Sequence, residues 1–154
     1  MKIPANIATF WSEFAVVTPE DISGRFHEAF HFDDHEASAN GLCRLVLAGR
    51  KRATAALLWA HEVDNRRLPE PGDLSVVTNW AGDPQCVIET RAVDVVPFEE
   101  VSAEFAAVEG EGDGSLRYWR DVHWDYFGRE CERIGRLPDR RMPVVCERFE
   151  VIYP

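Results

Sequence analysis

The chain has 154 residues, 45% of them hydrophobic, and a formal net charge of -10 at pH 7. This length suits one well-buried core and is short for two full domains, so we expect a single compact domain. The negative charge repels DNA, long RNA and anionic membrane surfaces, which leaves a small ligand or a nucleic acid held at a local basic patch.

Hydrophobic periodicity predicts helices and strands along the whole chain. The predicted helices cover residues 6–17, 39–47, 98–108 and 115–134, with Asp34 as the cap and Gly49 as the stop of the second. The predicted strands cover residues 54–59, 74–80, 85–96 and 143–153. This order predicts an α+β fold, with a mixed, mainly antiparallel sheet or small barrel decorated with helices.

The four cysteines lie far apart and show no spacing of a zinc or redox motif, so we expect small buried side chains in a reducing compartment. The longest uncharged apolar run, residues 53–60, is too short to cross a bilayer. Together these features predict a soluble cytoplasmic protein without a membrane partner.

Lys51 is one of only two lysines among 17 basic residues. Arginine stays protonated in proteins, whereas a lysine can act as a base when its surroundings favour the neutral amine. Arg50 and Arg52 flank Lys51, and their charges favour that neutral form and attract an anionic ligand. Thr54 follows three residues later and has a hydroxyl that a base could activate. A solvated basic loop beside an ordinary strand threonine explains the same spacing.

Glu89 lies in the predicted strand segment CVIETRAV, among apolar and β-branched residues. If its side chain points inward, the carboxylate must be paired or catalytic. If it belongs to the outward face of a strand with period two, it is an ordinary surface residue.

Four ordered segments, residues 39–59, 68–77, 86–127 and 144–153, resemble the ASCH domain of the PUA-like superfamily, in its longer bacterial form. The resemblance runs from about residue 25 to the end, so residues 25–154 are expected to form the domain and residues 1–24 a helical extension. It implies a small β-barrel decorated with helices, with a cleft beside the loop that carries the lysine.

The family includes amidohydrolases that remove the acyl group from N4-acetylcytidine, and their lysine, threonine and glutamate match Lys51, Thr54 and Glu89. The resemblance implies that Thr54 attacks the acyl carbonyl, Lys51 takes its proton, and Glu89 protonates the leaving amine. Backbone N–H groups near Arg52 and Ala53 would bind the oxyanion, and no metal or other cofactor is required. Many members have threonine directly after the lysine, where this chain has Arg52.

Further side chains are candidates for substrate binding, because tryptophans can stack on a pyrimidine and arginines can line the mouth of a pocket. These candidates are Arg50, Arg52, Trp59, Trp80, Ser115 and Trp119. Core packing is the simpler explanation for each tryptophan taken singly, and capping of the long helix is the simpler role for Ser115.

The acidic loop offers an alternative, because a metal-dependent ribonuclease activity is also associated with the family. Glu109, Glu111 and Asp113, with His123, could hold a divalent metal ion. We instead expect a solvated acidic loop and no metal site, since three glycines disperse these carboxylates.

Two classes of function therefore remain: an amidohydrolase acting on a nucleoside, and an RNA-binding or RNA-cleaving module. Long RNA is held mainly through phosphate contacts by lysine and arginine, whereas a nucleoside carries no phosphate. The net charge favours the nucleoside enzyme, although Arg136, Arg140 and Arg141 could form a local basic strip for RNA. The acyl group accepted and the oligomeric state stay open.

Overall fold

Five strands form one mixed sheet in the computed structural model, which describes residues 2–154. The strands are β1 (Phe26–Phe30), β2 (Ala53–Leu57), β3 (Leu74–Thr78), β4 (Pro84–Pro97) and β5 (Pro143–Tyr153). Their order is β1-β3-β4-β5-β2; β1 and β3 are parallel, and every other neighbouring pair is antiparallel. The predicted α+β fold with a mainly antiparallel sheet is confirmed, although across residues 2–154 the strand order is open and the barrel is incomplete.

Five α-helices surround this sheet. They are α1 (Ala5–Val17), α2 (Glu36–Leu47), α3 (Leu58–Val63), α4 (Ala103–Glu109) and α5 (Leu116–Ile134), with a short 3-10 helix at Phe98–Glu100 before α4. Gly49 has a φ of 76° just after α2, as a left-handed helix stop requires. None of these helices in residues 2–154 combines the length and apolar character needed to cross a membrane.

Three apolar clusters hold the helices to the sheet. One packs α4 and α5 against β2 and β5 around Trp119 and Phe127, and a second packs α2 against the sheet around Val46 and Ile88. The third packs α1 against β3 and β4. The four cysteines are buried and free, as predicted. The division at residue 25 stays a prediction, and α1 contributes its own apolar face to the third cluster.

The local predictions fail at several places. The helix predicted at residues 98–108 is divided into the 3-10 helix Phe98–Glu100 and α4. β1 was not predicted, and the strand expected at residues 54–59 ends at Leu57, so that Trp59 lies in α3. Asp34 does not cap α2, because the capping position belongs to His35 and the Asp34 carboxylate accepts hydrogen bonds from Arg129. For Asp34, a contact distant in the sequence decides the local structure.

Candidate functional site

Two loops meet closely in the molecule, and their meeting places the lysine beside two glutamates. The backbone N–H of Arg52 donates to the carbonyl of Val108 at 3.0 Å. Gly110 has a φ of 69°, and a Cβ atom at this position would overlap the carbonyl oxygen of Arg50. Only glycine combines this backbone conformation with so close an approach. The residues on both sides of Gly110 are thereby directed at the lysine.

The ammonium group of Lys51 is buried, with 1% of the side chain exposed. Its Nζ donates to the carbonyl of Ala53 at 2.7 Å and to Glu109 Oε2 at 2.9 Å. Glu111 Oε1 lies 4.0 Å away. Two hydrogen bonds leave one direction of the nitrogen for a third proton or, in the neutral amine, for the lone pair.

Glu109 is fully buried and is shared by three nitrogen groups. Besides Lys51, the indole Nε1 of Trp119 donates to Glu109 Oε1 at 2.9 Å, and His123 Nε2 lies 3.3 Å from the same oxygen. Burial alone would raise the pKa of Glu109, but the charges of Lys51 and His123 outweigh it and hold this pKa well below its usual value. Glu109 is therefore ionised at neutral pH.

Glu111 has the opposite behaviour. Burial, with a contribution from the charge of Glu109, raises the pKa of Glu111 to about 8, against the opposing charge of Lys51. In the described part of the chain its Oε2 has no hydrogen-bond partner, although His123 Nε2 lies 3.6 Å away. At neutral pH Glu111 is thus mainly a protonated carboxyl group, which can donate a proton.

His123 is oriented by the helix that carries it. Its Nδ1 lies 2.9 Å from the carbonyl of Trp119, so this nitrogen carries the proton, and the ring stacks on the indole of Trp119. Burial lowers the pKa of His123, but the nearby charges of Glu109 and Glu111 reverse the shift and raise it above its usual value. The imidazole is thus fixed between the Trp119 indole and the two carboxyl groups.

Thr54 and Glu147 face each other across β2 and β5. They are directly paired in the antiparallel register, so their side chains share one face of the sheet. Glu147 Oε2 accepts a hydrogen bond from Thr90 Oγ1 at 2.7 Å. Burial raises the pKa of Glu147 to about 7, although its hydrogen bond with Thr90 opposes the shift. A second carboxyl group of raised pKa thus lies beside the threonine.

One cleft of about 210 Å³ is lined by Lys51, Thr54, Glu109, Glu111, His123 and Glu147. Its volume is below the roughly 300–1,000 Å³ of typical drug-sized pockets, so it suits a compact ligand. Carboxyl groups predominate among its charged side chains: Glu28, Asp33, Glu109, Glu111 and Glu147 against Lys51 and Arg66. One wall is apolar and aromatic, formed by Phe30, Phe32, Leu42 and Tyr126.

The predicted catalytic set is only partly brought together. Lys51 and Thr54 both line the cleft, whereas Glu89 is not among the lining residues. Glu89 instead lies on β4, with its carboxylate 3.4 Å from Arg25 and 3.7 Å from Arg91. The structure therefore does not bring Glu89 together with Lys51, whose charge partner is Glu109.

The arginines beside Lys51 do not line the cleft. Arg50 and Arg52 are exposed and lie outside the lining residues. The Arg52 N–H is already bonded to Val108, so it is not available as an oxyanion donor. The structure therefore does not bring Arg50 and Arg52 into the cleft, whose charged lining is mainly acidic.

Among the aromatic and hydroxyl candidates, none lines the cleft. The guanidinium carbon of Arg136 lies over the Trp59 ring, 3.5 Å from the centre of this ring. Ser115 caps α5 by accepting a hydrogen bond from the N–H of Tyr118, and Trp119 is buried and acts through Glu109. Trp80 is 39% exposed, and its ring lies 4.8 Å from that of His31 at a tilt of 55°; His31 does line the cleft. Only Trp80 is thus placed near the rim.

The acidic loop is not the solvated segment that we expected. Glu109 and Glu111 are turned into the cleft beside His123, and Asp113 alone of the three acids is exposed. Two signals in the sequence pointed to this arrangement: a glycine between the two glutamates, and a histidine on the apolar face of α5. Glu28 and His61 also line the cleft, and no local pattern had singled them out.

Donor atoms of Glu109, Glu111 and His123 lie within 4.8 Å of one another, as a metal site would need. However, the Nζ of Lys51 lies 2.9 Å from Glu109 and 4.0 Å from Glu111, so a cationic group already neutralises these carboxylates. A divalent ion there would lie beside the ammonium group. The residues therefore fit a metal poorly.

Comparison with known proteins identifies relatives over nearly the whole chain. A family model described as the ASCH domain matches residues 28–153. The crystal structure of an ASCH domain from Lactobacillus crispatus JV V101 is similar with a TM-score of 0.93 and 34% identity, covering 100% of this chain and 98% of that one. A crystal structure of a protein from Enterococcus faecalis V583 is similar with a TM-score of 0.87 and 29% identity, covering 96% and 88%. Comparison with curated proteins gave no match.

Proposed function

This chain belongs to the ASCH domain family, and we propose that its cleft is the active site of an amidohydrolase acting on N4-acetylcytidine or a related N4-acylated cytosine nucleoside. One observation carries the proposal. Lys51 and Thr54 line the same cleft as Glu111 and Glu147, two carboxyl groups whose pKa values are raised to about 8 and about 7. A nucleophile, a base and an acid are what hydrolysis of an amide requires.

In the proposed reaction, the Thr54 hydroxyl oxygen attacks the acyl carbonyl carbon, and its proton passes to the neutral amine of Lys51. The two hydrogen bonds from Lys51 Nζ, to Ala53 and Glu109, hold the amine in place. Collapse of the tetrahedral adduct breaks the C–N4 bond and leaves an acyl ester on Thr54. Water then hydrolyses the ester, which releases the carboxylic acid and restores the threonine.

The leaving amine needs a proton, and Glu111 replaces Glu89 as its proposed source. Glu111 is mainly protonated at neutral pH and lines the same cleft as Lys51. Lys51 then returns the threonine's proton to the Glu111 carboxylate, so the protons balance over the cycle. Glu147, when protonated, can donate a hydrogen bond to the ring nitrogen or carbonyl of the cytosine, both of which are acceptors.

The charge of the cleft supports a nucleoside over RNA as substrate. Five carboxyl groups line it, against the amine of Lys51 and the guanidinium of Arg66, and the carboxylates among them would repel phosphate groups. The family's metal-dependent ribonuclease activity remains the alternative, and the cluster of Glu109, Glu111 and His123 is the feature that favours it. The position of Lys51 in that cluster argues against it.

Release of cytidine from N4-acetylcytidine by the purified protein, with and without EDTA, tests the proposal. We expect hydrolysis that EDTA does not change, and its loss in Thr54→Val, which keeps the side-chain shape but removes the nucleophile. Thr9→Val, at an exposed position on α1, is the matched control and should retain activity. Loss of activity with EDTA, restored by Mn²⁺ or Mg²⁺, would instead support the metal-dependent alternative.

A further inference from the structure

One end of the cleft takes no part in the proposed reaction. The reacting end is formed by Lys51, Glu111 and His123, from the loop after α2 and from the loop and helix that follow α4. A further group of lining residues, termed the second end, comes from other elements: Glu28 on β1, His61 on α3 and Arg66 just beyond α3. A substrate whose amide lies at Thr54 and Lys51 would extend its remaining part toward this second end.

The packing around His61 gives no reason for a polar side chain at this position. The residue is 6% exposed, and within residues 2–154 its buried Nδ1 has no hydrogen-bond partner. A buried polar atom left unpaired costs about 1–3 kcal/mol, so the imidazole destabilises the fold where an apolar side chain would not. Burial lowers the pKa of His61, so the ring is neutral at neutral pH and can donate one hydrogen bond and accept another.

Glu28 lies beside this histidine and is held in place. Its Oε2 accepts a hydrogen bond from Arg66 at 2.8 Å, while Oε1 lies 4.0 Å from His27 Nε2. Its side chain is 29% exposed, so the carboxylate keeps acceptor capacity toward the cleft. A carboxylate that accepts, next to a neutral imidazole that donates and accepts, suits the hydroxyl groups of a sugar.

The same groups are unsuited to a phosphate. Arg66 is the arginine among the lining residues, and its guanidinium is already paired with Glu28. Glu147 also lies close enough to feel the charge of Glu28. An additional anion at this end would therefore be repelled by carboxylates on two strands.

We propose that His61 and Glu28 form a hydroxyl-binding subsite for the pentose, which makes the enzyme prefer the N4-acylated nucleoside to the free base. This subsite rests on the proposed amidohydrolase function. Since it binds the part of the substrate distant from the scissile bond, its contribution is to substrate binding and specificity, and neither residue is assigned to the chemical step.

The test compares kcat/KM for N4-acetylcytosine, N4-acetylcytidine and N4-acetylcytidine 5′-monophosphate. In the wild type we expect the nucleoside to exceed the free base by at least roughly tenfold, the effect of one hydrogen bond to a charged group. His61→Phe and Glu28→Gln should each lower this ratio about tenfold, mainly by raising KM for the nucleoside. Glu62→Gln, an exposed change on the same helix, should leave the ratio unchanged.

Every other outcome contradicts the subsite alone or the subsite together with the proposed function. Equal efficiency with base and nucleoside in the wild type overturns the subsite but leaves the amidohydrolase intact. Preference for the 5′-monophosphate also overturns it, because the second end would then bind phosphate. If the wild type hydrolyses none of the three compounds, the proposed function fails and the subsite with it. Should His61→Phe fail to fold, the more exposed Glu28→Gln gives the answer.

Discussion

Once buried, the nitrogen of Lys51 can act as a base, which no arginine around it can do. Its single nitrogen fits between the Ala53 carbonyl and Glu109, at 2.7 and 2.9 Å, and still has one free direction. A guanidinium group is planar, carries five donors and does not lose its proton in proteins. The identity of this one side chain therefore decides whether the cleft contains a base.

We predict that Lys51→Arg reduces kcat/KM for N4-acetylcytidine by roughly 10² or more, because the cleft keeps its charge and loses its base. Arg52→Lys, an exposed change one residue away, should have little effect. Circular dichroism and thermal unfolding would establish that both variants are folded. Near-normal turnover by folded Lys51→Arg would exclude the base role.

Matched substitutions distinguish Glu111 from Glu89 as the acid that protonates the leaving amine. Glu111→Gln should lower kcat by roughly 10², since the amide keeps the shape and removes the proton donor. Glu89→Gln should leave kcat unchanged, because that carboxylate pairs with Arg25 and Arg91 outside the cleft. The reverse pattern would restore Glu89 to the site.

Glu111 also determines the expected pH dependence of the reaction. The pKa of Glu111 is raised to about 8, so the active, protonated form is present below this pH and is lost above it. We expect the pH dependence of kcat/KM to change near pH 8 in the wild type and to lose this change in Glu111→Gln, and identical profiles for the two proteins would contradict the role of Glu111 as acid.

At the level of elements, the site depends on a single close contact between the loop after α2 and the end of α4. Gly110 is the left-handed C-cap of α4, and the residues on either side of it, Glu109 and Glu111, converge on Lys51. Trp119 and His123 then fix Glu109 from α5. The glycine that ends α4 therefore also brings the two glutamates to Lys51.

Gly110→Ala is expected to destabilise the protein by about 1–3 kcal/mol, because the new Cβ requires a strained φ and overlaps the Arg50 carbonyl. Turnover should fall as well, since Glu109 and Lys51 move apart. Gly128→Ala is the control: in the interior of α5 an added Cβ meets nothing within 4 Å, and stability should rise by roughly 0.5–1 kcal/mol. Urea unfolding of the two variants measures both effects, and equal stabilities would contradict the argument.

At the level of the whole molecule, buried carboxyl groups make stability depend on pH. Glu111 and Glu147 have pKa values raised to about 8 and about 7, above the value of 4.5 expected when unfolded. The folded state therefore binds more protons than the unfolded state between pH 4.5 and about 8. Their stabilising contribution is complete below pH 4.5 and is lost as the pH rises through the folded values.

We accordingly expect these two groups to lower Tm progressively between pH 5 and pH 8. The double variant Glu111→Gln and Glu147→Gln should show a weaker dependence over this window, because its amides do not titrate. Thermal unfolding followed at pH 5, 6, 7 and 8 measures the slope. An unchanged slope in the variant would show that other groups control the pH dependence.

The local pattern of the sequence was sufficient for β5, predicted at residues 143–153, and for α5, whose Ser115 cap and apolar stripe are both continuous in the chain. It was also sufficient to bring Lys51 and Thr54 to attention, since one lysine among arginines and a hydroxyl three residues later can be read directly. β1 escaped prediction because its five residues are all half-buried and show no period-two alternation, so that only its pairing with β3 marks it as a strand. Periodicity within a short segment does not encode such a partner.

Only the tertiary structure decided which carboxyl groups belong to the lysine. Lys51 and Glu109 are 58 positions apart, and Thr54 and Glu147 meet through strand register, whereas Glu89 had the same apolar sequence surroundings that a buried acid would have. Side-chain chemistry follows from residue type and is therefore present in the sequence. Burial, charge pairing and the resulting pKa values depend on which distant segments pack together, and in this protein the loop approach at Gly110 determines them.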